Sequence, residues 1–354
     1  MKSKIAIAGL GNVGKGLLKM WGQLERWAAD KDIDMLLVAA IDSSGAVINK
    51  NGIKAKSLLD HKTTYKNLSG FAGFRNINMK GAIDIATPDI LIDLTPTNIE
   101  TGEPGFQEVV RALENGINVV VSSKNHLRSV SALREIENAA KKHGALFLDG
   151  PSVMGGIPVF EIMNGMNIKI SSVRAILNGS SNYILGLLEE KQFDGALSEA
   201  MRMGYAEANY EYDIKGHDSA LKAVGLCYRL FGRKISVGQV RLKGISEGHI
   251  GIDGIKSEYI RKLKKNRKSV KLICSIERKG DRITASVAPT ILDSNDQFAK
   301  IEGVNNAIEI KGKANGSEFS IFLSGPGAGG DATASRVAGN LKMALECLRR
   351  CGHG

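Results

Sequence analysis

The feature that most constrains this chain stands at its start, in the segment KIAIAGLGNVGKGLL. Residues 5–9 are apolar or small, a short buried-strand pattern, and they run into Gly9-Leu10-Gly11-Asn12-Val13-Gly14 at a strand-to-helix turn. The glycines meet separate needs. Gly9 permits the tight turn, Gly11 removes a Cβ that would keep a pyrophosphate from the backbone, and Gly14 lets helix pack closely on strand. The helix start, with Asn12 and Val13 beside the last glycine, offers N–H donors to phosphate oxygens. The combination predicts a dinucleotide site on a βαβ unit.

The residues that follow extend this reading. A second strand over 35–41 ends in Asp42, where an acidic side chain would bond the adenosine ribose and repel a 2′-phosphate, while Ser43, Ser44 and Lys50 nearby could receive one. Both NAD and NADP stay open. The helical pattern over 17–31 looks extended. Strands over 90–94, 118–121 and 145–148 then alternate with helices over 109–115 and 133–142, which predicts a Rossmann-like, doubly wound parallel sheet. Its site falls on the loops at the carboxyl ends of the strands, which places Thr95, Ser123 and Lys124 there.

From Pro151 the pattern changes to mixed helix and strand, giving an α+β substrate and dimerisation domain. The expected division is 1–150 for the dinucleotide domain, 151–320 for the second domain and 321–354 for a segment returning to the first. That last segment carries GPGAGGDATASR, a second backbone-donor loop at a helix start, so Gly327 and Thr333 join the cofactor contacts. A chain of 354 residues with 43% hydrophobic content supports two such cores. An open sheet with strands such as VKLICSIE needs its apolar face and edge covered, which predicts a homodimer.

Composition narrows the partners. The net charge is +11, and its densest basic run, RKLKKNRKSVK over 261–271, has no interleaved aromatic and reads as a solvated helix face rather than a nucleic-acid surface. The positive field suits anionic cofactors. Cys227, Cys274, Cys347 and Cys351 form no C-x-x-C pair, which points to a reducing cytoplasm and no metal. No segment reads as a signal peptide or membrane span.

The second chemical centre is GYAEANYEYDIKGHDSALK over 204–222, with four carboxylates and Lys222 around one loop-to-helix junction. Gly216 ends the loop, and the spacing of Leu221, Val224 and Tyr228 is helical, so Asp218 stands in a first turn with Lys222 four residues on along one face. Glu207 and Asp213 precede them. Reducing an aldehyde needs a proton and positive charge beside the nascent alkoxide, which a lysine supplies, and an α-amino-acid substrate needs carboxylates for its ammonium. A hydroxy acid would instead call for arginines.

The runs NGSSNYIL, GYAEANYEYDIKGHDSALK, VNNAIEI and GPGAGGDATASRVAGNL, in that order after the N-terminal glycines, resemble homoserine dehydrogenase over almost the whole chain. The likeness is to the short form without aspartate kinase or C-terminal regulatory domain. It implies NAD(P)-linked interconversion of homoserine and aspartate 4-semialdehyde on the route to threonine and methionine. It also implies that Lys124 and Lys222 are catalytic, that Glu207, Asp213 and Asp218 are substrate carboxylates, and that Tyr205, Gly179 and Ser180 line the pocket. Three positions depart from the family. Ser123 replaces an asparagine, Asn209-Tyr210 replaces an acid-proline pair, and Gly150 replaces the glutamate of a monovalent-cation site, which leaves only the carbonyls of Val153 and Gly155. Rival readings are another two-domain oxidoreductase and a cofactor-binding regulator without turnover.

Overall fold

The computed structural model describes residues 1–206, 210–244, 251–327 and 329–351. The chain divides into two compact units, one of residues 1–155 with 329–354 and one of residues 156–328.

The first unit is built on a seven-stranded sheet. Its strands are β1 (Lys2–Ala8), β2 (Asp34–Asp42), β3 (Gly45–Ile48), β4 (Phe74–Arg75), β5 (Ile90–Asp93), β6 (Asn118–Val121) and β7 (Phe147–Leu148). The order is β4-β3-β2-β1-β5-β6-β7. β2, β1, β5, β6 and β7 run parallel, and β5 and β6 are buried along their whole length, as parallel strands covered on both faces must be. One apolar layer joins Ile5, Ile7 and Leu37 to Val337, Leu341 and Leu345 of the C-terminal helix Gly330–Cys351, and the other joins Ala6 and Ala8 to Phe106 and Val109.

Two local features were not expected from the sequence. After β2 the chain turns back at once into antiparallel β3, which pairs with β4 at the sheet edge. The helical region over 17–31 is two helices, Asn12–Lys19 and Trp21–Ala29, separated at Met20, whose φ of −96° and ψ of 5° leave the helical region.

The second unit carries β8 (Lys169–Ile176), β9 (Val240–Leu242), β10 (Lys268–Lys279), β11 (Arg282–Asp293), β12 (Asn305–Ala314) and β13 (Ser317–Pro326). They form one open sheet in the order β13-β12-β8-β10-β11-β9. The helices Gly179–Leu187, His217–Phe231 and Ser257–Lys265 pack on β10. The basic run splits as its pattern predicts, into a helix with an exposed polar face and then β10. Lys271 is the exception: it turns inward, and its Nζ donates to Asn182 Oδ1 at 3.1 Å and to the Ile301 carbonyl at 2.5 Å.

Candidate active site

The glycine loop of the first unit has the geometry its spacing predicts. Gly9 has φ of +93°, and a Cβ there would lie 2.4 Å from the Leu94 carbonyl oxygen, so only glycine fits. A Cβ on Gly14 would lie 2.3 Å from the Gly9 carbonyl oxygen. Gly11 differs from both: nothing stands within 4 Å of its Cβ position. The loop is therefore crowded beneath and open above Gly11, and the helix Asn12–Lys19 begins there without a side-chain cap on its N–H groups. That is the form an anion cradle takes. The helix Gly330–Cys351 starts against this loop, with the Cβ position of Gly330 2.7 Å from the Asn12 carbonyl oxygen, so Thr333 lies in the first turn of a helix that abuts the glycines.

Asp42 ends β2, but its carboxylate is already engaged. Oδ1 accepts from the Ser44 backbone N–H at 2.8 Å and from the Ser44 hydroxyl, and Oδ2 meets the Lys62 ammonium. The two charged side chains are only 6% and 12% exposed, so the carboxylate at the end of β2 has its charge balanced. Lys62, twenty residues away in sequence, was not singled out by any spacing.

At the carboxyl ends of β5 and β6, Asp93 gathers Thr95 and Ser123. Its Oδ1 lies 2.6 Å from Thr95 Oγ1, and its Oδ2 accepts from Ser123 Oγ at 2.9 Å. Ser123 therefore points inward, and the Lys124 backbone N–H donates to Thr97 Oγ1 at 3.0 Å. At the candidate cation segment Gly150 offers no carboxylate, Val153 lies in the last turn of the helix Gly150–Met154, Gly155 follows at φ +54°, and Asp149, wholly buried, pairs with His126 at 3.3 Å.

In the second unit Asp213, Asp218 and Lys222 come together. The His217–Phe231 helix is entered through Gly216 at φ +82°, and it places Asp218 in its first turn with Lys222 one turn on. Lys222 Nζ lies 2.7 Å from Asp218 Oδ2 and donates to the Leu177 carbonyl at 2.6 Å. Asp213, on the short helix Glu211–Ile214, has its carboxyl raised above the ordinary value by burial first and by the Asp218 charge second, while Lys222 opposes the shift. Tyr212 is pushed up to about 12, mainly by burial.

The opposite wall is the N-terminus of the helix Gly179–Leu187. Its cap, Asn178, was not picked out from sequence. Asn178 Oδ1 accepts from the Ser181 N–H at 2.8 Å and Nδ2 donates to Asp218 Oδ2 at 3.0 Å, so one amide fixes both the helix start and the carboxylate. Ser180 Oγ donates to the Tyr205 carbonyl at 2.5 Å. A Cβ on Gly179 would lie 2.5 Å from the Val304 carbonyl oxygen, which reserves that position for glycine. Glu207 lies outside the described residues.

A phosphate-type glycine loop on a parallel sheet, in one chain with a buried carboxylate and lysine cluster on an open sheet, defines a two-unit dehydrogenase. Residues 158–341 match the family model for homoserine dehydrogenase, and residues 1–135 match that for Glutamate/Leucine/Phenylalanine/Valine dehydrogenase. The chain is 31% identical over 340 residues to the NAD(+)-dependent homoserine dehydrogenase of Pseudomonas canavaninivorans, covering 94% of this chain and 93% of that one. It is 29% identical over 348 residues to the homoserine dehydrogenase of Methanocaldococcus jannaschii, covering 95% and 97%. A hyperthermophilic archaeal homoserine dehydrogenase mutant solved in complex with NADPH shares its fold with a TM-score of 0.77 and 26% identity over 97% of this chain and 98% of that one. The chain belongs to the homoserine dehydrogenase family.

Proposed function

We propose that this protein interconverts L-homoserine and L-aspartate 4-semialdehyde by hydride transfer with NAD or NADP, a step of threonine and methionine biosynthesis. The observation that carries the reading is Lys222, held by Asp218 and the Leu177 carbonyl beside the buried Asp213. The cofactor rests on Gly9, Gly11, Asn12, Val13 and Gly14, with Thr95, Ser123, Lys124, Gly327 and Thr333 as further contacts and the Asp42–Lys62 pair at the ribose end. When bound, the nicotinamide supplies or accepts the hydride. In the reductive direction the aldehyde carbon gains the hydride, its oxygen becomes negative, and a lysine ammonium stabilises that charge and gives it a proton. The alcohol leaves, and the neutral amine regains a proton from solvent.

Lys124 and Lys222 are the two candidates for that role. Glu207, Asp213 and Asp218 bind the substrate ammonium and orient the lysine, and Gly179, Ser180 and Tyr205 shape the pocket around them. The protein acts as a homodimer through the second unit. Supporting this, Phe319, Ile321 and Leu323 of β13 stay only half-buried, and Ile291 of β11 is 41% exposed. No helix among the described residues is long and apolar enough to cross a membrane.

Purified protein given homoserine with NAD or with NADP is expected to reduce nicotinamide. The absence of turnover with both cofactors would overturn the reading. Light scattering at micromolar concentration is expected to return twice the chain mass of 38.0 kDa.

A further inference from the structure

The first unit contains a buried carboxyl at the point where the strand order reverses between β1 and β5. Asp93 is 1% exposed, and among the described residues no lysine or arginine pairs with it. Three donor groups surround it. The Thr95 N–H reaches Oδ1 at 3.0 Å, the Thr95 hydroxyl lies 2.6 Å from the same oxygen, and the Ser123 hydroxyl reaches Oδ2 at 2.9 Å. The Thr95 hydroxyl also lies 2.8 Å from the Pro104 carbonyl oxygen. A hydroxyl has one proton, and a carbonyl oxygen can only accept. If that proton goes to Pro104, the short contact from Thr95 Oγ1 to Asp93 needs a proton of its own, and the carboxyl is the one group placed to hold it.

We propose that Asp93 is a positioning residue that works as a neutral carboxylic acid, donating from Oδ1 to Thr95 and accepting from Ser123 at Oδ2. Every short polar contact then has one donor and one acceptor. Burial raises the Asp93 carboxyl in the same sense, against the pull of its hydrogen bonds and of His126. Titratable groups beside it include His126 and, behind the imidazole, Asp149, which pair with each other at 3.3 Å, and Glu103, whose Oε2 accepts from the Gly105 N–H at 2.9 Å. Backbone geometry keeps the arrangement closed: a Cβ on Gly105, at φ +123°, would lie 2.5 Å from Thr95 Oγ1 and 3.2 Å from Asp93 Oδ1.

The position makes the network matter for the reaction. The Thr95 backbone N lies 2.9 Å from the Cβ position of Gly9, and Ser123 immediately precedes Lys124. One neutral acid thus ties the glycine loop to the lysine loop without placing a negative charge beneath the lysine, where it would compete with the reacting oxygen.

The proposal rests on the dehydrogenase reading above, and homoserine turnover by the parent protein tests that reading by itself. Asp93 is then tested against the parent. Infrared spectra of parent and Asp93→Asn are expected to differ by the C=O stretch of a buried protonated carboxyl, present only in the parent; its absence from the parent overturns the neutral acid. Asp93→Asn keeps a donor toward the Thr95 hydroxyl and an acceptor for Ser123 but loses the acceptor for the Thr95 N–H, so it is expected to stay within about tenfold of the parent turnover number. Asp93→Ala, which removes both, is expected to lose about a hundredfold in turnover number, with a smaller change in the homoserine KM. Equal turnover in Asp93→Ala and parent overturns the positioning role. Should Asp93→Ala not fold, the pH profile decides: as pH rises through the ionisation of Asp93, parent turnover is expected to show a limb in addition to that of the lysine proton donor, and this added limb to vanish in Asp93→Asn. Identical pH profiles in parent and Asp93→Asn overturn the proposal.

Discussion

The contacts described around the two lysines differ between the units. Lys222 is gripped by its charged end: Asp218 and the Leu177 carbonyl both lie within 2.7 Å of Nζ, and Asp213 adds negative field. The Lys124 segment is fixed through its backbone, by Thr97 on its own N–H and by the Asp93–Ser123 bond one residue earlier. A lysine held by carboxylates answers to their removal. A lysine on a strand-end loop answers also to packing beneath the loop.

The largest effects test whether both arrangements serve one reaction. Lys124→Ala and Lys222→Ala are each expected to cost about a hundredfold or more in turnover, the range for losing a general acid or an oxyanion donor, with weaker effects on nicotinamide binding. A double variant that turned homoserine over near the parent rate would break the comparison altogether.

The next effects sharpen the second unit. Asp218→Ala removes a carboxylate that both Asn178 and Lys222 touch, so the homoserine KM is expected to rise about tenfold or more, together with a loss in turnover. Asp213 gives a pH signature. Its carboxyl is raised above the ordinary 3.8, so as pH falls it takes up a proton earlier than an ordinary aspartate and the ammonium-binding charge is lost. The homoserine KM is therefore expected to climb on acidification, and this limb to flatten in Asp213→Asn. A parent KM independent of pH across the acid range would show that Asp213 does not bind the substrate.

The units also differed in how much of each could be read from sequence. The glycine loop was legible because its spacing is local, with Gly14 meeting the carbonyl of Gly9, although the peptide that excludes a Cβ at Gly9 is Leu94, just past the end of β5. Asp213, Asp218 and Lys222 were legible because a loop and one helical turn bring them together. Asn178 was not. It reaches Asp218 across forty residues of sequence, and nothing in a spacing says which asparagine will find a distant carboxylate. The β3 hairpin had a local signal in Ser43-Ser44-Gly45, with Gly45 at φ +141°, but the alternation of strand and helix outweighed it. A two-residue strand such as β4 carries no periodicity at all. The sheet of the second unit followed from its strand patterns, while its order, with β8 between β12 and β10, depends on long-range pairing.

Two alanine substitutions in the glycine loop separate fold from binding within the first unit. Gly9→Ala forces a Cβ against Leu94 at positive φ and is expected to destabilise the protein by about 1–3 kcal/mol. Gly11→Ala enters open space at φ −74° and is expected to leave thermal stability nearly unchanged while raising the nicotinamide cofactor KM by about tenfold. If Gly11→Ala bound cofactor as the parent does, the open side of the loop would not be the phosphate cradle.

The smallest expected effect concerns cofactor choice, and it separates charge from contact at the end of β2. An unpaired aspartate there would disfavour the 2′-phosphate of NADP, and its removal would relax the preference through that loss alone. The carboxylate here is balanced by Lys62 and bonded by Ser44, so the parent is expected to accept both cofactors within about tenfold of each other. Asp42→Ala then does more than delete a negative charge, because it also releases the Lys62 ammonium. The expected change is a gain of about threefold to tenfold in NADP over NAD, by kcat/KM ratio, in line with one new charge-assisted contact to phosphate. Adding Lys62→Ala to Asp42→Ala removes the released cation and is expected to reverse most of that gain. If the double variant keeps the full NADP preference of Asp42→Ala, the effect comes from the lost carboxylate, and Lys62 is only its structural partner.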